Sequence, residues 1–424
     1  MFQWRNCVRH EVIVALVMIA ACAALWFLQL GRKIEPAMDG SKERAVVLEV
    51  DNSQLMQLGS VEAGTQLLKI KILSGKYKGK QFAAANELRG QLDLDKNFVA
   101  GDKIIAAIPA DFDPEKDMVY AQDYYRTNMV LLLCALFALL LLIFGGLTGF
   151  NALLSFVFSC LAVWKIVLPL CLQGANAIWI CFAAVVLLSF VIIFLVAGVN
   201  RKGITALGGT ICGVLGCSLL AYIFTHLFRL NGAAMNYAQA LINSGYEIVS
   251  LSDIFIGAVF LASSGAIMDL AMDVSASMVE VYRENPAISR RDLLRSGLRV
   301  GRSVVGTMTT TLLLAYSGGY LTLLMSFMAQ GTSLTDIINH PHVAPEIVKT
   351  LVGSFGLVLV APATALLGAL ILKRKGTEHG FGAADAVASG GNDAAGKSAP
   401  LSGGVEVVTA GGGEAEPVTE QPEG

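Results

Sequence analysis

Asp269 and Asp273 stand four residues apart in SSGAIMDLAMDVSASMVE (263–280), at the end of an apolar run long enough to be a membrane helix. On a helix that spacing puts both carboxylates on one face. Two acids so placed can bind a cation or relay a proton, the usual work of ionisable groups inside a bilayer. The competing role is neutralisation: Arg299 and Arg302 approach the next apolar run at a similar depth. Ion pairs with them would lock the connecting loop. At about 1.5 Å per residue from Leu251, Asp269 lies about 27 Å into a hydrocarbon core about 30 Å thick, with Asp273 a turn further on. Asp269, the deeper of the two, is expected to be functional and Asp273 mainly structural.

The next helix supplies further polar groups in VVGTMTTTLLLAYSGGYLTLL: Thr309, Thr310 and Tyr316 precede the pair Gly318–Gly319. Pro362 sits at a similar depth in the last apolar run. Glycine pairs and prolines at such positions predict locally broken helices, which in transporters expose backbone groups to an ion or substrate; ordinary kinks are the alternative. Gly209 and Gly213 form a small-xxx-small face for close helix packing. Lys165 is expected to snorkel and His226 to pack. His340, His342, Asp336 and Glu346 share one loop, but their spacing is not that of a metal site, and Pro341 and Pro345 read as a turn. No metal and no cofactor is expected. The eight cysteines contain no CxxC pair. With no nucleophile–base set and no GxxxxGK[ST] loop either, the chain reads as neither an enzyme nor an ATP-driven pump, and nothing in it speaks for nucleic acid.

These residues need helices to hold them. Of 424 residues, 55% are hydrophobic and only 15% charged, too few charges for a soluble chain of this size. Eight apolar runs of membrane length fall at 11–30, 128–146, 150–172, 176–199, 203–228, 251–274, 304–328 and 347–372. Arg5 and Arg9, Arg201 and Lys202, the arginines of 283–302, and Lys373–Lys375 then share one side, which the positive-inside rule makes cytoplasmic, with both termini. The first run has a basic flank and no small-x-small site. Ile19–Cys22 resembles a lipoprotein cleavage site, but the chain stays apolar beyond it, so a retained signal anchor is the better reading.

Between the anchor and the second run the pattern changes. AVVLEV (45–50), TQLLKIKIL (65–73), KQFAAANEL (80–88) and GDKIIAAI (101–108) alternate apolar and polar residues and are punctuated by glycine. Four to six short strands in residues 31–127 predict a small closed barrel of the OB type outside the cytoplasm. The fold class is therefore an all-α polytopic bundle of about eight helices with a β-barrel-like domain inserted after helix 1. The divisions are 1–30 (cytoplasmic end and anchor), 31–127 (barrel), 128–375 (seven membrane helices) and 376–424 (a Gly/Ala/Ser/Glu-rich, disordered cytoplasmic tail). The partners implied are the lipid bilayer and a ligand or protein for residues 31–127; the oligomeric state is left open.

GAIMDLAMDVSASMVEV, followed by SGLRVGRSVVGTMTTTLLLAYSGG, resembles the signature region of the YibE/F family of bacterial multipass membrane proteins, and LSGKYKGKQFAAANEL and GDKIIAAI resemble that family's extracytoplasmic part. The resemblance covers roughly residues 10–375. It implies a multipass protein of the bacterial cytoplasmic membrane with residues 257–320 as the core, and it carries no assigned reaction. The expectation is a permease for an ion or small solute; the alternative is a non-transporting scaffold or sensor whose barrel binds a partner.

Overall fold

The computed structural model describes residues 2–28, 40–92, 94–114, 117–246 and 248–373; the predicted tail, 376–424, lies outside them. Residues 9–375 form one compact unit. Helix α1 (Phe2–Phe27) is followed by strands β1 (Gly40–Asp51), β2 (Leu55–Leu58), β3 (Val61–Ile72), β4 (Gln81–Arg89), β5 (Lys103–Pro109) and β6 (Val119–Tyr124). Strand order is β1-β5-β6-β4-β3-β2, and an extra β1–β3 pairing closes the sheet into a five-stranded barrel, with β2 left as a hairpin arm on β3. All pairings are antiparallel except β4 with β6. That is the Greek-key arrangement of an OB barrel.

Alternation explains the barrel. Along β3, Leu68, Ile70 and Ile72 turn inward while Lys69 and Lys71 turn outward. Gln66 occupies the next inward position, where a lone amide would be costly. It is fully partnered. Its Oε1 accepts from Phe98 N (3.1 Å) and Asn86 Nδ2 (3.0 Å), and its Nε2 donates to Phe98 O (3.1 Å) and Asn52 Oδ1 (2.9 Å). Asn86 also donates to Lys96 O at 2.7 Å, so two buried amides fasten the loop after β4 to the barrel wall.

The helices that follow are α2 (Thr127–Ala162), continued through a π turn (163–167) into α3 (Leu168–Leu172), then α4 (Ala177–Ala197), α5 (Arg201–Leu227), α6 (Ala238–Asn243), α7 (Leu251–Glu284), α8 (Arg290–Gly318), α9 (Leu321–Ala329), α10 (Leu334–Asn339) and α11 (Ala344–Ile371). In chain order the barrel precedes every helix that qualifies as a membrane span. By length and composition there are five such helices, or six if α8 and α9, bent by 66°, count as one. The shortfall against eight has two sources. The described side chains of α1 begin at Ala15, so only Ala15–Phe27 enters that count, and Thr127–Leu172 counts once although it spans 46 residues. A straight helix of that length would reach about 69 Å, more than twice the core of a bilayer. It is a hairpin. Gly146 has φ 53° and ψ −127°, a Cβ at Gly149 would run into the Leu141 carbonyl, and the rings of Phe137 and Phe156 lie 6.0 Å apart.

The core of the bundle is α7, packed by α4, α5, α11 and α8. Phe255, Ile256, Val259, Phe260, Ile267, Leu270 and Val274 line its buried side. Close approach depends on glycine. Gly209 lies against Thr364, Gly213 against Val360 and Ile267, Gly301 against Ala361, and Gly353 against Ser263 and Leu312. The predicted interruption at Pro362 is absent: α11 runs helical through it. The loss is one amide donor, which a helix packed on three neighbours tolerates.

Candidate functional site

The break between α8 and α9 lies beside a cluster of half-buried polar side chains. After Gly318 the chain turns through Gly319 and Tyr320 before α9 begins at Leu321. Tyr320 Oη donates to Glu346 Oε1 at 2.9 Å. Lys349 Nζ donates to the same oxygen at 2.7 Å, one helical turn along α11. The pair is largely shielded, with side chains 16% (Glu346) and 22% (Lys349) exposed. The Lys349 ammonium also lies 5.4 Å above the Tyr316 ring, a cation–π contact. Tyr316 Oη in turn approaches Ser263 Oγ at 3.5 Å. Glu346 Oε2 is buried with no hydrogen-bond partner among the described residues. A polar column thus runs from the start of α11 inward to Ser263, the residue that faces Gly353.

Chemically, this column offers a carboxylate with one oxygen unengaged, a lysine that already neutralises it, and two phenols. An incoming cation or proton would compete with Lys349 for Glu346; an incoming anion would compete with Glu346 for Lys349.

The residues singled out from the sequence are spread over the bundle. Tyr316, Gly318 and Gly319 belong to the column just described. Gly209, Gly213 and Pro362 belong to the helix packing. Asp269 and Asp273 lie on an open face of α7, exposed in the chain. The expected ion pairs do not form: neither acid has an ion pair or hydrogen bond to Arg299 or Arg302 among the described residues, and both arginines are exposed on α8. The reason is helical phase. On α8, Gly297 and Gly301 face α7 and α11, which carries the neighbouring arginines to the far side. Thr309 and Thr310 bond back to the carbonyls of Val305 (2.7 Å) and Gly306 (3.1 Å), a self-contained arrangement that commits both hydroxyl protons. His342 Nδ1 meets Ala234 O at 3.0 Å, and no group of three or more metal-ligating side chains occurs among the described residues.

Sequence reasoning passed over Lys349 and Tyr320 and read Glu346 as part of an exposed loop. The i, i+3 spacing of Glu346 and Lys349 at a helix start was the available signal.

A family model for the YibE/F-like protein matches residues 133–374, more than half the chain. The chain belongs to the YibE/F family. The family's N-terminal domain model matches 41–132, so the boundary between the two YibE/F models falls inside α2, just beyond the barrel. No curated protein and no solved structure matches the chain. The column of Ser263, Tyr316, Tyr320, Glu346 and Lys349 lies wholly within the YibE/F-like region.

Proposed function

We propose that this membrane protein is a permease for an ion or small solute, set in the bacterial cytoplasmic membrane with both termini and the arginine-bearing ends of α7 and α8 in the cytoplasm. The observation that supports this most is the shielded Glu346–Lys349 pair, with one carboxylate oxygen unengaged, held against the 66° break between α8 and α9. A purely structural helix pair gains little from a buried ion pair, because desolvation offsets most of the attraction. A pathway needs such groups.

In this orientation the column opens on the extracytoplasmic side and ends at Ser263, above the apolar layer of Ile267, Leu312 and Val352. Transport then requires α8 and α9 to shift about Gly318–Gly319 so that the column connects past that layer.

The test is reconstitution in liposomes, with currents on a solid-supported membrane read against pulses of monovalent and divalent cations, inorganic anions, amino acids and carboxylic acids. Current is expected for one class, and Glu346→Gln, compared at matched amounts of folded, reconstituted protein, should abolish it. The absence of current for every class would overturn the reading.

A second reading, a sensor whose barrel takes a ligand, has one observation in its favour. Two clefts of about 240 Å³ flank Asp95, one against the β2–β3 hairpin (Gln57, Glu62, Asn97) and one over Arg89, Lys96 and Tyr120. Strand faces and loops of this kind carry ligands in OB barrels. Under this reading Tyr120→Ala would abolish the cellular phenotype of the protein while Glu346→Gln would not.

A further inference from the structure

We propose that the open faces of α7 and α8 form the contact through which a second copy of this chain docks in the membrane. The argument is independent of whether the chain transports anything.

Two exposed helix faces on this protein differ in kind. Along α2, the exposed residues are Leu132, Leu133, Leu136, Phe137, Leu140 and Ile143, as a lipid-facing helix requires. Along the first part of α8 the exposed residues at corresponding helical spacing are Arg299, Arg302, Ser303, Gly306, Thr307 and Thr310, and only beyond them do Leu313 and Leu314 restore an apolar face. Small and hydroxylated residues at such spacing are what membrane helices use to pack against other helices. On α7 the open face carries Gly265, Asp269 and Asp273. A Cβ at Gly265 or at Gly306 would meet nothing within 4 Å, so neither glycine is explained by packing within the chain.

The ring of helices around α7 shows why its face is open. α4 packs on α5, α5 on α11, and α11 on α8, but no comparable contact closes α8 onto α4. The acids lie in that gap.

Charge and depth identify the occupant. One face is acidic and the other basic, and among the described residues no ion pair joins them. Val274 faces Gly301 and Met278 faces Gly297, so α7 and α8 run antiparallel with Asp273 level with Arg302 and Asp269 level with Gly306. Copies in one membrane are related by rotation about the membrane normal, which preserves depth. Residues that are level within one copy are therefore level between copies. The acid face of one copy meets the arginine face of the next in register, and Asp273 pairs with Arg302 across the contact. A partner of unrelated sequence would need this complementarity built separately.

The experiment co-expresses two differently tagged full-length copies and reads co-purification in mild detergent, with native mass spectrometry of the eluate. Wild-type copies should co-purify as a multimer. Asp273→Arg and Arg302→Asp should each abolish co-purification, and the double variant, which exchanges the charges on every copy, should restore it. Gly265→Trp supplies a variant whose side chain enters open space in the single chain; it should abolish co-purification while leaving the melting temperature of the monomer unchanged. Recovery of wild-type copies only as monomers, co-purification that survives both reversals, or a double variant that fails to recover it would each overturn the proposal.

Discussion

Glu346 and Asp269 are both carboxylates on long apolar helices, and they show two ways such a group is accommodated. Glu346 lies inside the packed helices, neutralised by Lys349 and bonded by Tyr320. Asp269 lies exposed on the open face of α7, with no hydrogen bond or ion pair among the described residues. The same division holds for the glycines. Gly209 and Gly213 admit neighbouring helices, whereas a Cβ at Gly265 or Gly306 would meet nothing within 4 Å. Residue type marks all of these positions as unusual for lipid, but only the helix arrangement sorts those completed within the chain from those left open.

The sharpest way to break that division is at the ion pair. Glu346→Ala leaves a shielded ammonium without its counter-charge and is expected to destabilise the protein by roughly 3 kcal/mol, as loss of one member of a buried pair does. Adding Lys349→Met should recover most of the loss, since contacting groups are energetically coupled. Thermal melting of the four variants in detergent measures both effects, and equal losses for the single and double variants would show that the pair does not act as a unit.

Next in size are the glycines. Gly209→Ala pushes a methyl group into Thr364 and should cost about 1–3 kcal/mol by overpacking. Gly265→Ala should instead be neutral or slightly stabilising in the monomer, because alanine is the better helix former by about 1 kcal/mol. A matching loss at both positions would erase the distinction between closed and open faces.

Asp269→Asn is expected to change monomer stability by no more than about 0.5 kcal/mol, the usual range for a surface position without partners. A loss comparable to that of Glu346→Ala would mean the acid has a partner within the chain after all.

The smallest effect lies in the barrel and extends the comparison to an acid held by backbone alone. Asp95 Oδ2 accepts from Arg89 N (2.9 Å) and Gln91 N (2.7 Å). The bond from Arg89, followed by those of Gln91 and Gly90, holds its carboxyl below the ordinary carboxylate range. A pKa lowered on folding contributes stability that is present above the unfolded value, about 3.9, and is lost as pH falls through the folded value. Melting of wild type against Asp95→Asn between pH 7 and pH 3 should show the advantage of the aspartate shrinking at the acid end. An advantage that grows toward low pH would contradict the assignment.

Much of the barrel is legible in the sequence because each inward side chain is followed by an outward one. TQLLKIKIL and KQFAAANEL fall on β3 and β4. β6, VYAQDY, is hidden by its weak alternation, since its parallel pairing to β4 is set by the fold. The hairpin at Gly146 is legible as two apolar runs meeting at a glycine pair, and the break after Gly318 as a glycine pair inside a single run. The column of Glu346, Lys349 and Tyr320 is not. Pro345 and the neighbouring histidines read as loop, and Tyr320 reaches Glu346 only because the chain bends by 66°. Pairing Asp273 with Arg302 was reasonable from depth alone, but depth is one coordinate and helical phase is the other.

One junction gives the barrel its mechanical meaning. β6 ends at Tyr124 and α2 begins at Thr127, so a single turn's worth of chain joins them. That stretch is tied on both sides: Tyr125 N donates to Lys103 O at 2.7 Å, Arg126 pairs with Asp123 at 2.8 Å, and the Arg44 guanidinium lies 5.5 Å from the Tyr125 ring centre. With so little slack, the barrel is a handle welded to the first arm of the α2 hairpin. A torque applied to it outside the bilayer would be delivered to α2 undamped, and the Gly145–Gly146 bend is the first place along the chain where it could be absorbed.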